Sequence, residues 1–226
     1  MTAMTCAHDD QLVRRWVELA GEPAARFGRE LISRYREPHR RYHTAEHLAR
    51  MLDFVDFLEA GAESSGPVPR TPSIAVRYAV WFHDAVYQVD GPGSSGPGNE
   101  ERSARLAGEV LRAMGLPGAL AVEVSRLVRC TAEHRVHTTD HDGAVLCDAD
   151  LAILGSGDRA YRRYAEQIRQ EYRAVPEPQF RAGRAAVLRS LLGRIAIYNT
   201  ARARALLESK ARVNIAAELE RLTTRA

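Results

Sequence analysis

The sequence predicts an all-α fold. Apolar residues recur at three- and four-residue spacing along most of the chain, no alternating strand pattern persists, and the periodic segments stop at Gly- and Pro-containing stretches. A chain of 226 residues, 45% hydrophobic and 27% charged, can bury the core of one large domain. The expected organisation is a single helical domain over 1–226. It has a compact core over about 23–155 and additional C-terminal helices over about 158–222.

Leu12, Trp16 and Leu19 share a face over 10–20, as do Phe27, Leu31, Ile32 and Tyr35 over 23–35. Glu37-Pro38 stops the second helix, because the residue before proline avoids the helical region. Thr44 offers an N-cap for a helix to about Glu59, with Leu48, Met51, Leu52, Val55 and Leu58 on one face. Residues 61–73 read as a loop, and Ser73 or its neighbour opens the helix that ends at His83-Asp84. The Gly/Ser/Pro stretch 90–98 is the most loop-like in the chain, suited to a lid or to a plain surface insertion. Helices follow at 99–114 and 117–132, His134, His137 and His141 fall in a loop, and helices resume at 149–154, 158–174, 178–207 and 208–222.

Net charge is +3 but unevenly spread, with 15 Lys/Arg against 7 Asp/Glu from Asp158 onward. Lys210 is the sole lysine, and no aromatic-interleaved basic stripe marks a nucleic-acid groove, so solvated helix faces are the expectation. No run is apolar enough for a membrane span or a signal core, which predicts a cytoplasmic protein without membrane contact. Cys6, Cys130 and Cys147 are odd in number and lack CxxC spacing, so neither a disulfide framework nor a zinc ribbon is expected. A homo-oligomer remains open.

The chemistry gathers at Ala79-Val80-Trp81-Phe82, an apolar run that closes on His83-Asp84. Imidazole and carboxylate both lose hydration at the end of a buried segment and need compensation. A divalent metal supplies it, whereas an isolated His-Asp pair would more simply cap a surface turn. The surroundings favour the metal. His43 and His47 stand at i, i+4 upstream, and Asp148 and Asp150 stand downstream. His47 lies inside the amphipathic helix and is the better-directed ligand; His43, at the helix start, contacts substrate or orients His47.

In order, the chain carries Tyr42-His43-Thr44-Ala45-Glu46-His47-Leu48, Trp81-Phe82-His83-Asp84-Ala85-Val86-Tyr87, Asn99-Glu100-Glu101-Arg102, Asp148-Ala149-Asp150-Leu151 and Ile168-Arg169-Gln170-Glu171-Tyr172. This set resembles the HD superfamily of metal-dependent phosphohydrolases, in particular a bacterial branch of predicted HD phosphohydrolases, over roughly residues 10–222. The resemblance implies an HD-type helical core and a divalent transition metal (Mn, Fe, Co, Ni or Zn) held by His47, His83, Asp84 and Asp150. Asp148 is the alternate ligand, or else a helix N-cap or an acceptor behind Asp150. Asp84 is the residue placed to bridge metal and attacking water. Asn99 stands where related proteins often carry a histidine, which argues against a second ion and leaves Glu100 or Glu101 as candidate general base. His134 is a candidate to meet a phosphate or a leaving group. Arg41, His43, Arg169 and Arg212 are candidate substrate contacts, since guanidinium binds phosphate bidentately. The implied function is a metal-dependent phosphohydrolase acting on a small phosphorylated substrate, a phosphomonoester or nucleotide. The alternative is a metal-dependent nucleotide-binding sensor with little or no turnover.

Overall fold

The helix that closes on His83-Asp84, Ile74–Phe82, buries Ala75, Val76 and every residue from Tyr78 to Phe82. A helix apolar on nearly all sides belongs at the centre of a bundle, and here it does. The computed structural model describes residues 2–60, 73–89 and 97–224, with side chains from His8 onward. The expected loop 61–72 and the stretch 90–96, including the lid question, lie outside the described residues. Among those described, the chain is all helical: α1 (Thr2–Ala20), α2 (Ala25–Arg34), α3 (Ala45–Ala60), α4 (Ile74–Phe82), α5 (Asn99–Ala113), α6 (Gly118–Cys130), α7 (His141–Asp150), α8 (Asp158–Glu171), α9 (Glu177–Leu192) and α10 (Ala201–Thr224). Short 3-10 turns, Glu22–Ala24 and Leu151–Gly155, precede α2 and follow α7. None of the described helices is long and apolar enough to cross a membrane.

Helices α1, α3, α5, α6 and α7 all pack against α4. Trp16 of α1 meets Trp81 edge-on at 5.1 Å and Tyr78 at 5.8 Å. Its indole N–H donates to the Ala24 carbonyl at 2.8 Å, so the ring is fixed at both ends. Gly28 lets α2 close onto it: a Cβ there would sit 2.5 Å from the Trp16 ring. This wedge holds the end of α4, and with it the His-Asp pair.

Two boundaries differ from the sequence expectation. Helix α7 begins at His141, far upstream of 149, because the Asp140 carboxylate accepts the Gly143 N–H at 3.0 Å and caps it. The expected run 178–207 is interrupted after Leu192, while α10 passes through 208 without a break. Side chains of α10 satisfy the freed backbone of the interruption. Arg212 donates to the Leu192, Arg194 and Ile195 carbonyls at 3.2, 2.9 and 3.0 Å, and the Glu208 carboxylate accepts the Ile197 and Tyr198 N–H groups. Helix α10 also packs tightly on the 151–155 turn, where Asn214 donates to Leu154 and Ser156 carbonyls at 2.8 and 2.9 Å.

Candidate metal centre

Three helix ends deliver the ligands. His47 comes from the first turn of α3, His83-Asp84 from the end of α4, and Asp150 from the last position of α7. His83 is only 1% exposed, and its Nδ1 lies 2.8 Å from the Val80 carbonyl. A carbonyl can only accept, so Nδ1 carries the proton and Nε2 is the open atom. Tyr35 braces the same corner, donating to Trp81 O at 3.2 Å and accepting the Asp84 N–H at 3.3 Å.

Nε2 of His83 stands 3.1 Å from Nε2 of His47 and 3.1 Å from an Asp84 oxygen. Nε2 of His47 is 3.2 Å from Asp150 Oδ1 and 3.9 Å from the Asp84 oxygen. Donors each about 2.1 Å from one ion lie roughly 3.0–3.4 Å apart at octahedral or tetrahedral angles, which these separations approach. His47, His83 and Asp150 place ligand atoms within 4.8 Å of one another, and Asp84 flanks them. Nitrogen and carboxylate donors in this mixture accept any of Mn, Fe, Co, Ni or Zn.

The electrostatics ask for a cation. Burial lowers His83, but Asp84 and Asp150 outweigh it and raise the imidazole to about 9. Burial likewise opposes ionisation of Asp84, yet His83 and His43 hold its carboxyl well below the usual range. Asp150 is depressed in the same way by His134 and His47. His47, buried beside His83, is lowered by burial. The site is built to keep both carboxylates ionised around a positive charge.

Other expected residues sort by contact. His134 reaches Asp150 Oδ2 at 2.8 Å, so this carboxylate spans the cluster and the fourth histidine. Its backbone is left-handed, φ 50°, the sole non-glycine residue of that kind among the described ones. Such a conformation costs about 1 kcal/mol. Arg194 fixes it there, donating to the Glu133 and His134 carbonyls at 2.6 and 2.9 Å. His43 Nε2 stands 3.9 Å from Asp84 Oδ2, at the edge of the cluster.

Asp148 faces elsewhere, since residues two apart on a helix point in opposite directions. Fully buried, it accepts from Asn199 N, Asn199 Nδ2 and Thr200 N at 2.7, 3.0 and 2.7 Å, and so anchors the start of α10. It is an acceptor from within α7, not an N-cap of a helix beginning at 149. Glu101 is turned outward and held by Arg105 and Arg129 at 2.8 and 2.6 Å, which lower its carboxyl to about 2 and make it a poor base. No described contact joins Glu100 to the cluster, and Asn99 instead pairs with the Gln88 backbone.

The candidate arginines make contacts away from the cluster. All three guanidinium nitrogens of Arg169 are engaged at the α8–α9 turn, by Glu177 and the Tyr172 and Val175 carbonyls. Those of Arg212 bind Glu208 and the carbonyls after α9. Arg41 bonds the Pro38 carbonyl and lines a cleft of about 330 Å³ with Tyr35, Arg36, Thr44 and Glu46, which includes none of the cluster's ligands.

Two residues take supporting roles that the sequence alone did not assign to them. Arg40, 3% exposed, donates to the Asp84 carbonyl at 2.7 Å and the His43 carbonyl at 3.2 Å, tying the two ligand segments together. Glu171 accepts the backbone N–H groups of Arg41, Tyr42 and His43 at 2.7, 2.8 and 3.0 Å on one oxygen. Its other oxygen meets His43 Nδ1 at 2.7 Å and Tyr87 OH at 3.0 Å. A signal for Glu171 existed: it continues the buried stripe Tyr161, Tyr164, Ile168 of α8 as a carboxylate in an apolar series.

No family model, curated protein or solved structure matches this chain. Its site is defined by two imidazoles and two carboxylates, with His43 and His134 at the rim.

Proposed function

We propose that the protein is a metal-dependent phosphohydrolase of the HD type, acting on a phosphomonoester or nucleotide-type substrate. The observation that carries this reading is that His47 Nε2 and His83 Nε2 stand 3.1 Å apart and each has an Asp84 and an Asp150 oxygen within 3.1–3.9 Å. His47, His83, Asp84 and Asp150 would hold a divalent ion, which would lower the pKa of a water and polarise a phosphoryl group. Asp84, whose Oδ2 lies between His83 and His43, is the carboxylate placed to accept a hydrogen bond from the attacking water. With Arg169 and Arg212 engaged in the fold, His43 and His134, at the rim of the cluster, are candidates to meet the phosphoryl oxygens.

The test joins metal analysis of protein purified without chelator to a phosphatase screen over nucleotides and sugar phosphates. Restoring Mn to stripped protein should restore phosphate release from at least one ester, and Asp84→Ala should abolish it. The sensor reading draws on Glu101, whose capture by two arginines removes a candidate base. Tight metal-dependent nucleotide binding without phosphate release would select the sensor.

A further inference from the structure

Glu171 is 7% exposed, and its two oxygens are shared out with a clear division of labour. Oε1 gathers three successive backbone N–H groups, of Arg41, Tyr42 and His43, at 2.7–3.0 Å. That nest fixes the backbone entering α3. Oε2 takes His43 Nδ1 at 2.7 Å, with Tyr87 OH as a second donor at 3.0 Å. The Tyr87 ring also lies against the His43 ring, centroids 4.2 Å apart. A carboxylate accepts, so Nδ1 of His43 donates, and the ring can turn neither about its backbone nor about its own axis. The consequence is at the far side of the ring. Nε2 has no hydrogen-bond partner among the described residues and stands 3.9 Å from Asp84 Oδ2, beyond bonding distance but beside the ligand cluster.

We infer that Glu171 is a positioning residue for the reaction, holding His43 so that its free Nε2 forms a phosphoryl-oxygen subsite next to Asp84. This rests on the phosphohydrolase reading and deepens it by assigning the substrate contact to a Glu-His pair delivered from α8 and the segment before α3. With a carboxylate beside each ring nitrogen, His43 is held as the imidazolium, whose Nε2–H can donate to a phosphoryl oxygen, while Glu171 sets the direction of the ring. The same carboxylate serves the backbone, so its structural and orienting roles must be separated by the choice of variant. Glu171→Gln does so: the amide oxygen can keep the three backbone N–H groups, while the amide nitrogen replaces the acceptor that His43 Nδ1 and Tyr87 require.

The experiment uses the full chain loaded with Mn or Zn and inorganic phosphate as the probe. Glu171→Gln should retain metal at the wild-type level yet bind phosphate about 10- to 100-fold more weakly, and lose kcat/KM by a similar factor on any ester turned over. His43→Ala should lose as much, and the double variant should lose no more than the worse single one, because the two act as a unit. In Zn-loaded wild type, 15N spectra should show both ring nitrogens of His43 protonated and Nε2 shifted by added phosphate. Unchanged phosphate affinity in Glu171→Gln, or losses that simply add in the double variant, would overturn the inference. Should Glu171→Gln fail to fold, the wild-type spectra decide: an Nε2 signal indifferent to phosphate rejects the subsite. A protein that binds phosphate through this pair but releases none from any ester leaves the inference standing and overturns only the hydrolase reading.

Discussion

Nε2 of His47 and Nε2 of His83 face each other across 3.1 Å, although His83 has committed its Nδ1 proton to the Val80 carbonyl. Two nitrogen lone pairs do not approach so closely without a cation or a proton between them. The nearest carboxylate oxygens, on Asp84 and Asp150, only strengthen that demand.

Metal binding should therefore stabilise the fold measurably. At free metal about 100 times Kd, the gain is about 2.7 kcal/mol, and chelation should remove it. His83→Ala and Asp84→Ala should each abolish both the bound metal and this gain, since the remaining ligands lose a partner and their orientation. Full metal occupancy of either variant, measured by elemental analysis, would dissolve the ligand assignment.

Asp148 and Asp150 separate cleanly. Asp150→Asn should lose metal with little change in the metal-free unfolding midpoint. Asp148→Asn should keep metal but cost about 1–3 kcal/mol, because an amide N–H₂ would face the Asn199 and Thr200 donors it now accepts from. Denaturant unfolding with and without metal reads both effects; swapped outcomes would exchange the two roles.

Much of this arrangement is legible in the sequence. The periodic apolar residues of α3 and α4 fix His47 and the His-Asp pair on helices, and Trp81-Phe82 marks α4 as central. The start of α7 was hidden because its cap, Asp140, lies in a polar stretch rich in histidine that reads as loop. The gap between α9 and α10 was hidden for a different reason. Apolar spacing runs on through it, and its stability comes from Arg212 and Glu208, far along the chain. Arg169 and Arg212 looked like phosphate ligands because guanidinium serves a carbonyl cluster as well as it serves a phosphate.

Acid stability should depend on Glu171. Burial works against its ionisation, but His43 and the backbone N–H groups outweigh it and hold the carboxyl at about 2, below its ordinary 4.5. A depressed carboxyl adds stability above its unfolded value and loses it as pH falls from about 4.5 toward 2, here on the order of 3 kcal/mol. His43, raised by Asp84 and Glu171 against burial, acts oppositely: its contribution is complete below 6.5 and drains as pH rises through the raised value. In chelator-treated protein, the acid limb should flatten in Glu171→Gln; parallel curves for variant and wild type would contradict the ion pair.

Gly28→Ala tests the wedge that holds α4. The new methyl would lie 2.5 Å from two Trp16 ring atoms, and the ring cannot retreat from Tyr78 and Trp81 or from its bond to Ala24. A loss of about 1–3 kcal/mol is expected, with a change in tryptophan fluorescence. An unchanged denaturant midpoint would mean that α2 is free to shift.

The arginines give the sharpest contrast between sequence and structure. If Arg212 bound substrate, Arg212→Ala would raise KM and leave the unfolding midpoint alone. Its three guanidinium nitrogens instead serve Glu208 and the carbonyls of Leu192, Arg194 and Ile195. Removing them leaves a non-helical turn with unsatisfied acceptors, at a cost of about 1–3 kcal/mol. Arg212→Lys should rescue little, because a single ammonium cannot span acceptors that a planar fork bridges. The same logic applies to Arg169→Ala at the α8–α9 turn. Both variants should therefore unfold at lower denaturant while KM, measured well below the midpoint, stays at the wild-type value; a raised KM with an unchanged midpoint would return these residues to the substrate site.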